Sequence, residues 1–382
     1  MLPQRESPLP LIRTSLLVVC LALAFDSYAD DDHANTSPAR APDIREDELR
    51  LKAQKGNVVA VPIPMSNPTL DTGLVAGGAY FYGQSPEQKE DQPASVTGLA
   101  GMYTSNESWA FGAFHDAYWK EDRWRFSGMV GLADIRLSLV TPDEVGTDDG
   151  VSWRVEGAFL NLKMSRRLWS DWYAGGIIRV IDAEQSIEIQ SGDESADFDL
   201  DANIRAVGIG AALEYDTRDI PTGPYAGVHF KAEALLNDRA SDGTDGSYET
   251  YSLAFRSYHQ LNDRLVLAWE ARGCARSGTV PLWDACRIQL RGFAAFDYLG
   301  LESASGQVEL RWRAWKRLGL VAFGGAGWAG STLATLGGEE TTPSYGTGIR
   351  YEVLPAKRLN MRLDFGWSEN SNGVYLSVGE AF

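Results

Sequence analysis

The sequence has no long apolar run. Leu16–Phe25 is too short to cross a bilayer as a helix, and no later stretch is long or apolar enough to do so. Helical periodicity is missing too. From Gly56 onward, apolar residues nowhere recur at helical spacing over three turns. Positive charge is scarce, with 35 Lys and Arg against 52 Asp and Glu and a formal charge of −17. That argues against nucleic acid as a partner, which needs a basic surface. Histidine is limited to His33, His115, His229 and His259, and no Gly-x-Ser-x-Gly occurs. His115 and Asp116 are adjacent, so on a strand they point to opposite faces and cannot form a dyad. His229 stands at strand spacing from Lys231 and Glu233 and reads as one polar residue among others. With no metal-ligand spacing and no phosphate loop, we read the chain as a non-enzyme without metal or cofactor. Cysteine is limited to Cys20, Cys274 and Cys286.

What is present begins with an export signal. Arg5 and Arg13 precede the apolar run, and Ser27-Tyr28-Ala29 fits a small-x-small cleavage site. Residues 1–29 are therefore expected to leave, Cys20 with them. Val19 before that cysteine fits a lipoprotein site poorly, so no lipid anchor is expected. Removing the segment takes away Arg5, Arg13, Glu6 and Asp26, which leaves the charge unchanged. Residues 30–55, with Asp30-Asp31-Asp32, Pro38 and Pro42, read as a short flexible leader in which Ile44–Lys55 could form one short helix. In an exported chain, Cys274 and Cys286 favour a disulfide, the alternative being two free buried thiols.

From residue 56 to 382 short alternating segments recur, broken by Gly, Asn, Asp and Pro. In Val308-Glu309-Leu310-Arg311-Trp312-Arg313 one face is Val, Leu, Trp and the other Glu, Arg, Arg. Leu359 to Trp367 alternates in the same way, and so does Ile349-Arg350-Tyr351-Glu352-Val353. Period two means strands. A soluble sandwich turns its apolar face inward; a membrane barrel turns it to lipid and its polar face to a wet lumen. Three features favour the barrel. Tryptophans sit largely near strand ends (Trp109, Trp119, Trp124, Trp169, Trp172, Trp328, Trp367), as an interfacial girdle requires. Both signs of charge recur on the polar face at mid-strand. The export signal agrees with them. Fifteen segments can be counted from residue 70 to the end, and Val58–Pro64 is the natural sixteenth, weakened by Pro62 and Pro64. The fold expected is an all-β transmembrane antiparallel barrel of about sixteen strands. Connections 139–151, 188–202 and 238–249 are long, polar and expected outside the cell; the ten-residue 84–93 connection falls on the short-turn side, where it fits badly. The acidic runs at 143–149 and 193–201 read as solvated loops. The sharper alternative, divalent-cation binding at a lipopolysaccharide-covered surface, has no calcium-loop spacing behind it.

The chain ends Gly373-Val374-Tyr375-Leu376-Ser377-Val378-Gly379-Glu380-Ala381-Phe382. Val374, Leu376, Val378 and Phe382 share one parity, as in a closing membrane strand paired to its last residues. Leu290-Arg291-Gly292-Phe293, inside the longest connection (277–304), resembles the Arg-Gly-Phe/Tyr signature of the BamA/TamA superfamily of outer-membrane assembly and translocation barrels. Five strands follow it, the number that family has. Tyr215-Asp216-Thr217-Arg218-Asp219 with Pro221, Pro224 and Gly227 resembles a family turn, and the segment from Ser344 to Phe382 resembles the family's last three strands. The resemblance implies that the long loop folds into the lumen, where its arginine meets acidic and aromatic residues. Two departures stand out. Only some 25 residues lie between the signal and the barrel, too few for a POTRA domain, and Gly325 stands where the family often has an acid. Arg291 is therefore expected to reach Glu309, with Arg311, Arg313, Arg350, Glu352, Arg362 and Asp364 on the same lumen wall and Gly292 allowing the turn.

The function implied is assistance to the insertion or passage of a client through a loose seam between first and last strands. Alternatives are a narrow porin-like channel, and a structural barrel whose outer loops bind a partner or ion. The partners implied are outer-membrane lipid and lipopolysaccharide, the barrel assembly machinery during biogenesis, and a client the sequence does not name. The chain is read as a monomer in the outer membrane of a Gram-negative bacterium.

Overall fold

A computed structural model describes residues 56–67, 71–140, 150–191, 194–241, 245–293, 298–331, 341–369 and 371–382. The expected signal (1–29) and leader (30–55) lie outside the described residues, as does most of the 139–151 connection. The chain forms β1 (Asn57–Asn67), β2 (Asp71–Phe81), β3 (Val96–Thr104), β4 (Trp109–Trp119), β5 (Trp124–Val140), β6 (Gly150–Trp169), β7 (Trp172–Ser191) and β8 (Glu194–Asp216). It continues with β9 (Gly227–Ser241), β10 (Gly246–Asn262), β11 (Leu265–Gly278), β12 (Cys286–Arg287), β13 (Leu299–Gly300), β14 (Glu302–Trp315), β15 (Leu318–Gly330), β16 (Thr342–Leu354), β17 (Leu359–Ser368) and β18 (Asn372–Val378). Strands β12 and β13 pair with each other in the long connection. The other sixteen form one antiparallel meander closed into a barrel by β1 beside β18. Among the described residues no helix is long and apolar enough to cross a membrane.

The sign of the alternation identifies the solvent. On β14 Val308, Leu310 and Trp312 are 50%, 39% and 48% exposed, while Gln307, Glu309 and Arg311 are buried. Apolar side chains facing out around a closed sheet need lipid as their solvent. Trp109, Trp169 and Trp367 are exposed near strand ends, and Trp315, at the end of β14, adds to them. Trp328 is a correction: it is buried at 2% exposure and belongs to no exposed girdle.

Two connections differ from expectation. The 188–202 stretch is mostly strand, because β7 and β8 run on as a hairpin to Ser191 and from Glu194; the 238–249 connection likewise shrinks as β9 and β10 extend. The run from Ala196 to Ala202 alternates apolar residues with aspartates, so strand periodicity continues through what its acidity marks as a loop. The awkward 84–93 connection holds a helix, α1 (Pro86–Asp91). Ser85 caps it through a reciprocal capping box with Gln88, and Pro86 opens the first turn.

Candidate functional site

The connection from β11 to β14 turns back into the barrel. A disulfide joins Cys274, on β11, to Cys286 twelve residues later. Leu290, Arg291, Gly292 and Phe293 are all buried, with Ile288, Leu290 and Phe293 packed together. Gly292 lies directly on the inner surface of β17. Its φ is +104°, and a Cβ there would sit 2.7 Å from the backbone carbon of Trp367. The Gly292 N–H donates to the Tyr375 hydroxyl (2.8 Å), and the Ser368 hydroxyl donates to the Gly292 carbonyl (2.8 Å). Loop and wall thus fit only if residue 292 has no side chain.

Arg291 stands at the centre of a buried ion-pair cluster. Its guanidinium lies 2.6 Å from Glu309 and 2.8 Å from Asp364, donates to Gln307 at 3.2 Å, and stacks on the Phe323 ring at 3.5 Å. Glu309 and Asp364 are fully buried. Arg311 reaches Glu309 at 2.7 Å, Arg350 bridges Asp364 (2.5 Å) and Glu380 (2.9 Å), and Arg362 approaches Asp364 at 3.5 Å. A buried carboxylate is tolerable only with cations this close. The sequence pairs Arg291 with Glu309 and puts Asp364 merely on the same wall; the structure makes Asp364 a second direct partner. It also adds Gln307, Phe323, Tyr375 and Glu380. Their signal in sequence is parity alone, since each has the polar-face register or lies past the strand end. Arg313 and Glu352 do not join the cluster. Arg313 lies 5.9 Å from the Tyr225 ring and donates to the Asp263 carbonyl, and the Glu352 backbone bonds Arg317, both at the short-turn end.

Phe382 is a second correction. Strand β18 ends at Val378, and Gly379, with φ +98°, breaks the extended run. The chain then turns inward. Glu380 joins Arg350, and Phe382 is buried with Tyr258 and Ala268 on the lumen side. Arg311 donates to the Phe382 backbone oxygen at 2.9 Å. Parity therefore holds for Val374, Leu376 and Val378 within β18 but does not carry Phe382 to the lipid face.

The seam is correspondingly short. Strands β1 and β2 are in register over their whole length, whereas among the described residues β1 meets β18 at one pair, Ser66 with Val374. On the same parity as Ser66, Pro62 and Pro64 have no N–H to give. At the short-turn end a strap crosses this seam. The Lys357 ammonium, in the turn between β16 and β17, donates to Gln84 Oε1 at 2.6 Å beside α1, beyond β1. The Gln84 amide in turn donates to the Gln92 carbonyl at 2.8 Å. Burial, with Lys89 nearby, brings the Lys357 ammonium down to about 8.

The turn from β8 to β9 closes the same mouth from the opposite wall. Thr222 donates to the Lys357 carbonyl, Arg358 donates to Asp219, and Arg358 stacks on Tyr225 at 3.9 Å. Behind it lies a vestibule of about 720 Å³ lined by Gln84, Asp122, Arg125, Arg218 and Lys357 among others. Glu214, Asp216 and His229, of which Asp216 lines the vestibule, converge closely enough to suggest metal ligands. Arg125 already meets Glu214 at 3.1 Å and Asp216 at 2.9 Å, and Arg218 meets Asp216 at 2.7 Å, so the cluster is an ion-pair node. Sequence reading placed His229 with Lys231 and Glu233; its contact is Glu214, at 3.0 Å.

No protein-family model matches the sequence, and a search of curated proteins finds no match. Solved structures do resemble the fold. BamA from Haemophilus ducreyi lacking POTRA domains 1–3 matches with a TM-score of 0.50 at 12% identity, over 85% of this chain and 69% of that one. CdiB from Acinetobacter baumannii matches with a TM-score of 0.54 at 11% identity, over 85% of this chain, which spans 60% of the CdiB chain. At such identity the likeness is one of fold: a sixteen-stranded barrel similar to those of BamA and CdiB.

Proposed function

We propose that this chain is an outer-membrane barrel that assists the insertion or passage of a client, with the β1–β18 seam as its working edge. The observation that carries the reading is the seam. Among the described residues fifteen neighbouring strand contacts are long ladders, and the remaining one is a single pair preceded by two prolines. Unpaired N–H and C=O groups in a bilayer are costly and therefore receptive to another strand. The barrel likeness to BamA and CdiB supports it. The loop inside the lumen argues against a porin-like pore, since Arg291 is packed there against Glu309 and Arg358 against Tyr225. On this reading the short-turn end faces the periplasm, and the Lys357–Gln84 strap holds the seam there.

The test is a reversible lock. Ser66→Cys with Val374→Cys joins the one paired position. In liposomes, the oxidised form should leave the folding of a small outer-membrane test barrel at its spontaneous rate, and reduction should accelerate it. Equal rates in both forms, with the wild type unaffected by reductant, would remove the seam from the mechanism.

A further inference from the structure

A separate cavity of about 210 Å³ lies between the plug loop and the wall formed by β9, β10, β11 and β14. Lys231, Arg256, Arg272, Arg276 and Arg287 line it, together with Ser252, Ser303, Ser305 and the Gln289 amide. One lining residue, Glu233, is acidic. Among the described residues three carboxylates reach Lys231, Arg256, Arg272 and Arg276, and each is shared with a further donor. Glu270 meets Arg256 at 2.7 Å and Arg272 at 2.9 Å while accepting from Gln307 at 2.9 Å. Asp284 lies 3.5 Å from Arg276 but 2.5 Å from Arg179. Glu233 lies 3.8 Å from Lys231 and 3.4 Å from Lys163. Lys231, Arg256, Arg272 and Arg276 thus share three carboxylates that also serve Lys163 and Arg179, in a chain whose overall charge is strongly negative.

Geometry adds to the charge. The Arg272 Nε is buried without a hydrogen-bond partner. Its Nη1 donates to Gln289, which with Arg287 holds the loop side of the cavity. The disulfide from Cys274 to Cys286 and the bond from Ser303 Oγ to the Arg287 carbonyl (3.2 Å) fix that loop side against the wall. Excess positive charge inside a membrane barrel is costly unless a counter-ion sits with it. Several guanidinium forks with hydroxyls and an amide suit the distributed acceptors of an oxyanion better than the single point of a halide.

We infer that this cavity is a binding site for a phosphate-class oxyanion, free or carried on a small ester, held by Arg256, Arg272 and Arg287. The site stands independently of the seam reading. Its donors come from the wall and from the plug loop together, so a bound anion ties the loop to β10 and β11.

The test uses the full barrel in detergent, titrated with inorganic phosphate and, separately, with glycerol 3-phosphate at constant ionic strength, and followed by ³¹P NMR line broadening. Saturable binding of inorganic phosphate is expected, with chloride failing to compete at equal concentration. Binding of the ester as well assigns the site to phosphate groups in general, and failure of the ester assigns it to the free ion. Arg272→Gln should weaken binding at least tenfold. Arg287→Gln, on the more exposed loop side, should do so without disturbing the wall if the first variant folds poorly. Arg205→Gln, which removes an exposed cation paired with Asp182, should leave binding unchanged. Absence of saturable binding of either probe, or equal weakening by Arg205→Gln, would overturn the site.

Discussion

Glu309 is fully buried with Arg291, Arg311 and Arg350 within 2.6, 2.7 and 3.6 Å. A carboxylate so placed has no water to fall back on. Removing one member of a buried pair leaves the other uncompensated, at a cost of about 3–5 kcal/mol. Arg291→Ala and Glu309→Ala should each lower barrel stability by that order, and the double variant should cost less than the sum. Unfolding in urea, read by the heat-modifiable mobility of the barrel, checks this; strict additivity would mean the two side chains do not depend on each other. Lys357 gives a prediction of opposite electrostatic character. Its folded value, about 8, lies below the ordinary lysine value of 10.5, so the folded state gives up the proton first. Between those two values the unfolded chain binds more protons, and stability rises with pH. Below about 8 the charged ammonium is held at a cost in both strap and barrel. Lys357→Met should flatten the pH dependence of stability between about 8 and 10, and an unchanged profile would exclude Lys357 as its source.

At the scale of elements, β1 and β18 show how little separates a closed ladder from an open one. Strand β1 is eleven residues long and β18 seven, enough for several pairs, yet among the described residues one is made. The prolines withhold donors from β1, and Gly379 turns the end of β18 into the lumen. Replacing Pro62 and Pro64 with valine should lengthen the ladder. Hydrogen exchange at the Leu376 to Val378 amides would then slow by at least tenfold, and unchanged exchange would place the cause of the short seam in the inward turn at Gly379 instead. The same element-level logic explains α1. A ten-residue connection on the short-turn side looks wasteful until its helix is seen to carry the Gln84 end of the strap.

For the molecule as a whole, apolar side chains outside and ion pairs inside make one physical statement: the solvent of this fold is lipid. Produced without its expected signal, the chain should refold only with detergent or lipid, and a monodisperse soluble monomer in plain buffer would contradict the outward exposure of Val308, Leu310 and Trp312. In planar bilayers the barrel should show silence or rare flicker, because the Arg291 loop is packed inside the lumen and the 217–226 turn reaches across to Lys357 and Arg358. Steady large conductance would mean that the 291–293 loop and the 217–226 turn do not hold their places, and would favour a channel.

Much of this was legible in the sequence. Alternation with charges on one parity at mid-strand yields the strand count and the lumen wall, because pleating makes side-chain direction a matter of odd and even. The Arg291-Gly292-Phe293 tripeptide marks the connection that enters the lumen through its resemblance to the BamA/TamA signature, and the two cysteines mark the base of that connection. Parity, however, is defined only within a strand. Beyond Val378 it fails, which is why Phe382 was misplaced. It also says nothing about which residues on different strands meet across the lumen. Asp364, Phe323 and Tyr375 become partners of the plug only when the sheet closes and brings β14 to β18 around one axis. The strap from Lys357 to Gln84 is the extreme case, 273 residues apart in sequence. Local sequence determines strand, turn and facing, because those follow from backbone sterics and the solvent each side chain prefers. Closure of the barrel alone decides which charges are neighbours, because that distance is set by the circumference of the sheet.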